Sequence, residues 1–145
     1  MIYLDTSYLV RLYLEDRGYE QVRDLARTDR VASAWLGRIE TLTAFHRALR
    51  ERRLSQDAYR LSVEQFLEDC VQGGFVWFPL APELGDRIER VLREAPSSVF
   101  LRTADALHLA CAAEHGLLVV YSNDRHLLAA APLFGLRGVN VIPDA

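Results

Sequence analysis

Four acidic residues stand where a chain of alternating strands and helices can bring them to one place. Asp5 follows the short apolar strand predicted at residues 2–4. Asp124 follows the strand predicted at residues 117–121, with Ser122 and Asn123 between them. Glu40 and Asp105 fall in the early turns of two predicted helices. If the strand ends share one edge of a sheet, the four carboxylates converge on a single pocket.

Such a group of carboxylates is electrostatically unfavourable unless something neutralises it. At about 5 Å and an effective dielectric constant of about 20, each like-charge pair costs about 3 kcal/mol. Protons or a multivalent cation remove that cost. The first hypothesis is therefore a hard metal ion bound through oxygen atoms.

Three of the four acidic residues also have an ordinary structural explanation. Asp5 and Asp124 are suited to cap the helices that follow them, and Asp105 can complement a helix dipole. Glu40 has no arginine four residues away on either side, so an intrahelical ion pair does not explain it. It is their joint occurrence in the right elements of one chain that favours a site.

A zinc site is an alternative on the same helix as Asp105. His108, Cys111 and His115 continue its helical face and are zinc-ligand types. The surrounding alanine and leucine residues instead predict a tightly buried helix, in which His108 is a hydrogen-bonded core residue or supports the site. His115 beside Gly116 fits an interaction with the C-terminal dipole of the helix.

The basic residues limit both the mechanism and the substrate. All 17 are arginine, which excludes chemistry that needs a lysine and keeps bidentate phosphate contacts available. The net charge of −3 gives no overall attraction to nucleic acid, so a local basic patch would be required. Arg11, Arg102 and Arg125 lie near the acidic residues and are the candidates for substrate binding. A further run, Arg47, Arg50, Arg52 and Arg53, is expected to form a solvated helix face, with phosphate binding as the alternative.

Length and composition indicate one ordinary globular domain over residues 1–145. Cys70 and Cys111 stand alone in apolar contexts without a C-x-x-C spacing, which favours two buried thiols in a reducing compartment. No basic segment typical of a signal peptide precedes the first apolar run, and no stretch reaches the roughly 18 apolar residues of a membrane span. We therefore expect a cytoplasmic protein.

Short strands and helices alternate along the chain. Strands are predicted at residues 2–4, 31–34, 75–78, 117–121 and 139–142. Helices are predicted at residues 8–15, 20–26, 35–53, from a Ser55 cap to Gly73, 82–94, from a Thr103 cap to Gly116, and 125–131. This alternation predicts a three-layer α/β/α sandwich with a central, mostly parallel five-stranded sheet. Ligands of such sheets bind outside the carboxyl ends of the strands, where Asp5 and Asp124 project.

Four segments together resemble the PIN domain family, and more specifically the VapC-type toxins of prokaryotic toxin–antitoxin pairs. They are Asp5-Thr6-Ser7, Arg38-Ile39-Glu40, TADALHLA at residues 103–110, and Ser122-Asn123-Asp124. Any one of these motifs is weak, whereas the ordered set is specific and extends over essentially the whole chain.

The resemblance implies an endoribonuclease that depends on Mg²⁺ or Mn²⁺. All four acids match the metal-binding acidic quartet of that family. We assign Asp5 and Asp105 as the principal metal ligands and Asp124 as a third, direct or through water. We assign Glu40 to a second metal ion or to the orientation of the attacking water. Ser7 and Ser122 would hold carboxylates or waters in place. The resemblance also implies a PIN-like parallel sheet, a homodimer, an RNA substrate and inhibition by a small antitoxin protein.

Other functions remain open on the sequence alone. A phosphatase of the haloacid-dehalogenase type needs a second acid two residues after the first, where this chain has Ser7. A response-regulator receiver needs a lysine, which this chain lacks. A catalytically silent binding module with the PIN fold, and an RNA-processing nuclease with no toxin role, fit the same residues.

Overall fold

A five-stranded parallel sheet forms the middle of the protein, in a computed structural model that describes residues 1–144. The strands are β1 (Ile2–Leu4), β2 (Val31–Ala34), β3 (Phe75–Phe78), β4 (Val119–Tyr121) and β5 (Arg137–Val139). Their order is β3-β2-β1-β4-β5, and every neighbouring pair is parallel. Residue 145, the last of the predicted domain, lies outside the described part of the chain.

Helices cover both faces of this sheet, which confirms the predicted α/β/α sandwich. They are α1 (Thr6–Arg11), α2 (Tyr19–Ala26), α3 (Trp35–Arg50), α4 (Gln56–Val71), α5 (Pro82–Glu94), α6 (Thr103–Glu114) and α7 (Arg125–Ala130), followed by a 3₁₀ turn at Ala131–Phe134. Successive residues of β1 point to opposite faces, as in any strand. Tyr3 packs in the core with α5, α6 and α7, whereas Leu4 packs in the core with α1 and α2.

The centre of the sheet is where the strand order changes direction. From β1 the chain adds β2 and then β3 on one side, and it later adds β4 and β5 on the other. Leu4 pairs with Tyr121, and the Asp5 amide donates a hydrogen bond to the Tyr121 carbonyl at 3.1 Å. The residues after β1 and β4 therefore lie side by side at the topological switch point, the usual ligand position in open parallel sheets.

Four predicted boundaries are wrong in informative ways. Helix α1 spans residues 6–11 rather than 8–15, because the Asp5 side chain caps it directly after β1. The last strand is at residues 137–139 rather than 139–142, since Gly135 closes the preceding turn with a left-handed backbone at φ 73° and β5 pairs from Arg137 onward. Strand β4 begins at Val119 rather than at residue 117. Thr103 is the first residue of α6 and not its cap, a position held by Arg102 without a side-chain hydrogen bond to the helix.

No helix among residues 1–144 combines the length and the apolar character needed to cross a bilayer.

Gly37 lies where α3 packs tightly against β2, α1 and α6. A Cβ atom at this position would lie 2.8 Å from Ser33 Oγ, 3.2 Å from Leu9 Cδ1 and 3.3 Å from His108 Cε1. Gly85 on α5 is a matched control, because nothing lies within 4 Å of a Cβ atom there.

We expect Gly37→Ala and Gly85→Ala to change the free energy of unfolding in opposite directions. Alanine gains up to about 1 kcal/mol over glycine in a helix interior, and Gly85→Ala should show that gain. In Gly37→Ala the steric overlap should outweigh it and leave a net loss of about 1–2 kcal/mol. Urea unfolding of both variants measures the difference, and equal stabilisation of the two would contradict the packing described here.

Candidate functional site

All four acidic residues line one cavity of about 240 Å³. Asp5 follows β1, and Asp124 follows β4 as the cap of α7. Glu40 lies in the second turn of α3, and Asp105 in the first turn of α6. Four elements that are far apart in sequence thus each supply one carboxylate. Thr6, Ser7, Arg102 and His108 complete the polar part of the lining.

Asp5 is buried, and both of its carboxylate oxygens are hydrogen-bonded. Oδ1 accepts from the Ser7 hydroxyl at 2.6 Å and from the Tyr8 amide at 3.1 Å, and Oδ2 accepts from the Ser122 hydroxyl at 2.5 Å. Burial raises the pKa of the Asp5 carboxyl above its ordinary value, although the bonds from Ser122 and Ser7 act in the opposite direction. Capping and site formation are therefore compatible, because one carboxylate does both.

The two serines join the ends of β1 and β4. The Ser7 hydroxyl accepts from the Asn123 amide at 3.0 Å, and the Ser122 hydroxyl accepts from the Asp124 amide at 2.8 Å. Each serine thus donates to Asp5 and accepts from the segment that carries Asp124. These are the contacts that a supporting role for Ser7 and Ser122 requires.

Glu40 is held by a hydrogen-bonded chain that reaches into the sheet. Its Oε1 atom is 2.7 Å from His108 Nε2 and accepts from the Thr6 hydroxyl at 2.7 Å. On the other side of the imidazole, His108 Nδ1 is 2.8 Å from the Tyr3 hydroxyl, whose oxygen accepts the Ala34 amide at 3.0 Å. Burial alone would raise the pKa of Glu40, but the bonds from His108 and Thr6 outweigh it and lower that pKa.

This chain also indicates which nitrogen of His108 carries the proton. Because the Tyr3 oxygen already accepts the Ala34 amide, its own proton can be donated to Nδ1. The proton of a neutral imidazole then lies on Nε2 and points to Glu40. The sequence alone did not decide whether His108 is a core residue or supports the site. Its position three residues after Asp105, on the same helical face, was the sequence feature that pointed to the cavity.

Arg102 lies between two of the acids. Its Nε atom donates to Asp105 Oδ2 at 3.0 Å, and its Nη2 atom donates to Asp124 Oδ2. The pair with Asp105, followed by the charge of Asp124, raises the pKa of the Arg102 guanidinium further. The Arg102 side chain is 53% exposed, so it closes the outer side of the cavity without being buried.

The other two candidate arginines lie elsewhere. The Arg11 guanidinium donates to the carbonyl oxygens of Ser7 at 2.7 Å and Arg17 at 2.8 Å, which fixes the turn between α1 and α2. Arg125 is exposed on α7. Neither side chain lines the cavity, so only Arg102 of the three is in position to meet a ligand there.

The donor set suits a hard divalent ion but is not a closed cage. Carboxylate and hydroxyl oxygens dominate the lining, and the imidazole of His108 is turned to Glu40. Within the described residues, no three side chains of His, Cys, Asp or Glu already stand close enough to enclose a metal ion. Asp105 and Asp124 are paired with Arg102 instead, so rotation of this exposed arginine would free two carboxylates.

The zinc alternative is not supported by this geometry. Cys111 is fully buried in the core around α6, and burial raises the pKa of its thiol to about 12. His115 Nδ1 lies 2.9 Å from the Cys111 carbonyl oxygen, and its ring stacks on Phe78 with 3.9 Å between the ring centroids. His108 contacts Tyr3, Glu40 and Thr6 rather than either of them.

Comparison with known proteins places this architecture in a family. The sequence model of the PIN domain family matches residues 2–132 of this chain. The crystal structure of Mycobacterium tuberculosis VapC20, a toxin that cleaves the sarcin–ricin loop, aligns with a TM-score of 0.68 and 19% identity over 90% of this chain and 95% of that one. VapBC2 from Rickettsia felis, bound to a DNA fragment from their promoter, aligns with a TM-score of 0.67 and 14% identity over 97% and 98% of the two chains.

At these identities the two structures show a shared fold. None of the curated proteins matches the sequence at a significant level. The family model, however, extends over most of the chain and includes all four acidic residues. The chain therefore belongs to the PIN domain family.

Proposed function

We propose that this protein is a metal-dependent endoribonuclease and the toxin of a type II toxin–antitoxin pair. The observation that carries the proposal is the meeting of four carboxylates, from four separate elements, in one cavity of a PIN-family chain. The fold shared with VapC20, described as a toxin that cleaves the sarcin–ricin loop, supports RNA as the substrate class.

In this proposal Asp5, Asp105 and Asp124 hold Mg²⁺ or Mn²⁺, directly or through water. When bound, such an ion lowers the pKa of a water molecule and neutralises charge on the non-bridging phosphate oxygens. Asp5 is already fixed by Ser7 and Ser122, so little reorganisation is needed on that side of the cavity. Carboxylate ligands also fit the preference of these ions for oxygen.

Glu40 is the residue we assign to the attacking water or to a second metal ion. Its Oε1 atom is oriented by His108 and Thr6. Its lowered pKa keeps the carboxylate ionised, as a proton acceptor must be. Attack in line with the leaving oxygen would invert the configuration at phosphorus and leave a 5′-phosphate.

Arg102 is the residue we assign to the substrate phosphate. An exposed guanidinium between two carboxylates neutralises them, and a bound cation would take over that role. Arg102 would then be released toward the phosphodiester, which guanidinium groups bind with two hydrogen bonds. In the same scheme the partner is a small antitoxin protein and the toxin is a homodimer that acts in the cytoplasm.

The first test is cleavage of structured and unstructured RNA by wild-type protein with Mn²⁺, Mg²⁺ or EDTA. We expect cleavage that requires metal and falls at least ~100-fold in Asp5→Asn and Asp105→Asn, because losing a ligand carboxylate removes about 3 kcal/mol of transition-state stabilisation. Asparagine caps helices as well as aspartate does, so Asp5→Asn should remain folded. The control is Asp86→Asn, an exposed carboxylate on α5. Undiminished cleavage in EDTA would contradict the mechanism.

The toxin role requires a separate test in cells. We expect induced wild-type protein to arrest growth of a bacterial host that carries no antitoxin, and Asp105→Asn at equal expression to have no effect. An active nuclease that leaves growth unchanged would favour RNA processing without a toxin role. A protein without metal-dependent cleavage would favour the catalytically silent binding module.

A third test concerns the competition between Arg102 and a cation. We expect Arg102→Ala to bind Mn²⁺ about threefold to tenfold more tightly, because it removes a positive charge that is only partly screened by solvent. Isothermal titration calorimetry measures this without substrate. Arg125→Ala is the matched control, an exposed arginine outside the cavity. Weaker Mn²⁺ binding by Arg102→Ala would contradict the proposed displacement.

A further inference from the structure

A second cavity adjoins the one that holds the four acids. Its volume is about 430 Å³, and it shares Thr6 and Glu40 with the acidic cavity. The rest of its lining comes from the C-terminal half of α3, and includes Thr43, His46, Arg47 and Arg50. The two cavities therefore lie side by side across Thr6 and Glu40, and we call the one along residues 43–50 the α3 groove.

The α3 groove carries two arginines that no carboxylate neutralises within residues 1–144. Arg47 and Arg50 are exposed and stand three residues apart in the last turn of α3, where helical geometry places them on one face. Neither forms an ion pair in the described residues. By contrast, Arg53 pairs with Glu51, and Arg87 pairs with Glu114. A solvated helix face was expected here from the sequence. In the structure, this face lines a groove that Glu40 also lines.

An endonuclease needs such a groove for a geometric reason. Its scissile phosphate lies inside a chain, so the strand must continue out of the catalytic cavity and bring further phosphates with it. A protein with a net charge of −3 attracts those phosphates only through local positive charge. Arg47 and Arg50 supply that charge in the cavity that Glu40 also lines.

We propose that the α3 groove binds the RNA backbone next to the scissile phosphate, with Arg47 and Arg50 contacting two successive phosphates. This rests on the proposed ribonuclease function. His46 precedes Arg47 in the groove lining. Its ring packs edge-to-face on Tyr59, with 6.1 Å between the centroids, and this contact connects the groove to α4. The Thr43 hydroxyl donates to the Glu40 carbonyl at 2.9 Å, and this links the groove to the α3 turn that carries Glu40.

The chemistry of the groove favours a polyphosphate backbone over an acidic protein segment. Protein partners are usually anchored by aromatic or aliphatic side chains that fill apolar pockets. Ala44 is the only apolar residue in this lining, and the exposed Trp35 and Ile39 at the start of α3 lie outside it. Guanidinium groups beside hydroxyl groups are what phosphate contacts require.

The experiment compares two double variants. Arg47→Ala/Arg50→Ala removes the charges of the groove. Arg90→Ala/Arg93→Ala is the matched control, since these arginines are also exposed, three residues apart and at the end of a helix. Arg90 lines a separate cavity that shares no residue with the acidic one. Both groove arginines lie in the last turn of α3, and Arg93 lies in the last turn of α5, so the control reproduces part of the lost helix-dipole interaction.

Binding of a fluorescein-labelled 12-nucleotide oligouridine is measured by anisotropy in EDTA across a series of salt concentrations. Each phosphate contact on single-stranded nucleic acid contributes about 0.7 to the slope of log K against log salt, so two lost contacts should lower the slope by about 1.4. We expect this change in Arg47→Ala/Arg50→Ala and none in the control. A Glu-rich peptide is titrated in parallel.

The outcomes separate this inference from the proposed function. Equal slopes in the two double variants, or no binding of the oligouridine by wild-type protein, would overturn the inference. It would also be overturned if the groove variant lost affinity for the peptide alone, since that marks a surface for an acidic protein. Because EDTA removes metal, the slopes do not depend on catalysis. A failure of metal-dependent cleavage would count against the proposed function, whatever the slopes show.

Discussion

Mutual repulsion of carboxylates is the constraint around which this end of the molecule is organised. The parallel sheet brings the residues after β1 and β4 together, and α3 and α6 add two more acids to the same cavity. Each acid is then stabilised differently: Asp5 by two serine hydroxyls, Glu40 by His108 and Thr6, and the remaining pair by Arg102. The arrangements around Asp5 and Glu40 are buried or half-buried and fixed by the fold, whereas the Arg102 contact is at the surface. Under the proposed function, a divalent ion would therefore replace Arg102 on one side of the cavity.

The parts of this arrangement that follow from local rules were predictable. An aspartate directly after a buried strand is positioned by the strand itself, and the alternation of strands with helices leaves few topologies that are compatible with right-handed crossovers. The acids and the two serines could therefore be proposed together. The last strand was misplaced because its apolar pattern continues to Ile142, whereas pairing is set by the turn at Gly135. Hydrophobicity alone does not contain that information.

The contacts that no local rule could supply are the long-range ones. Tyr3 and His108 are 105 residues apart, and their hydrogen bond depends on the packing of α6 against the sheet. Arg102 could be placed near the acids by its position in the chain, but not between Asp105 and Asp124 in particular. The position of Arg47 and Arg50 in a cavity could not be predicted either, because a polar helix face in the sequence does not reveal which cavity it lines. Sequence patterns predicted which acidic residues meet better than they predicted which residues surround them.

The hydrogen-bonded chain from Ala34 through Tyr3 and His108 to Glu40 joins the innermost layer of the domain to the carboxylate at its rim. Because of this linkage, the orientation of the Glu40 carboxylate depends on the spacing between β1 and β2 as well as on the turn of α3 that carries it. Small repacking inside the sheet would therefore be transmitted outward as a change in the orientation of the Glu40 carboxylate. If Glu40 acts as proposed, substitutions at Tyr3 or in the neighbouring interior would alter turnover as well as folding.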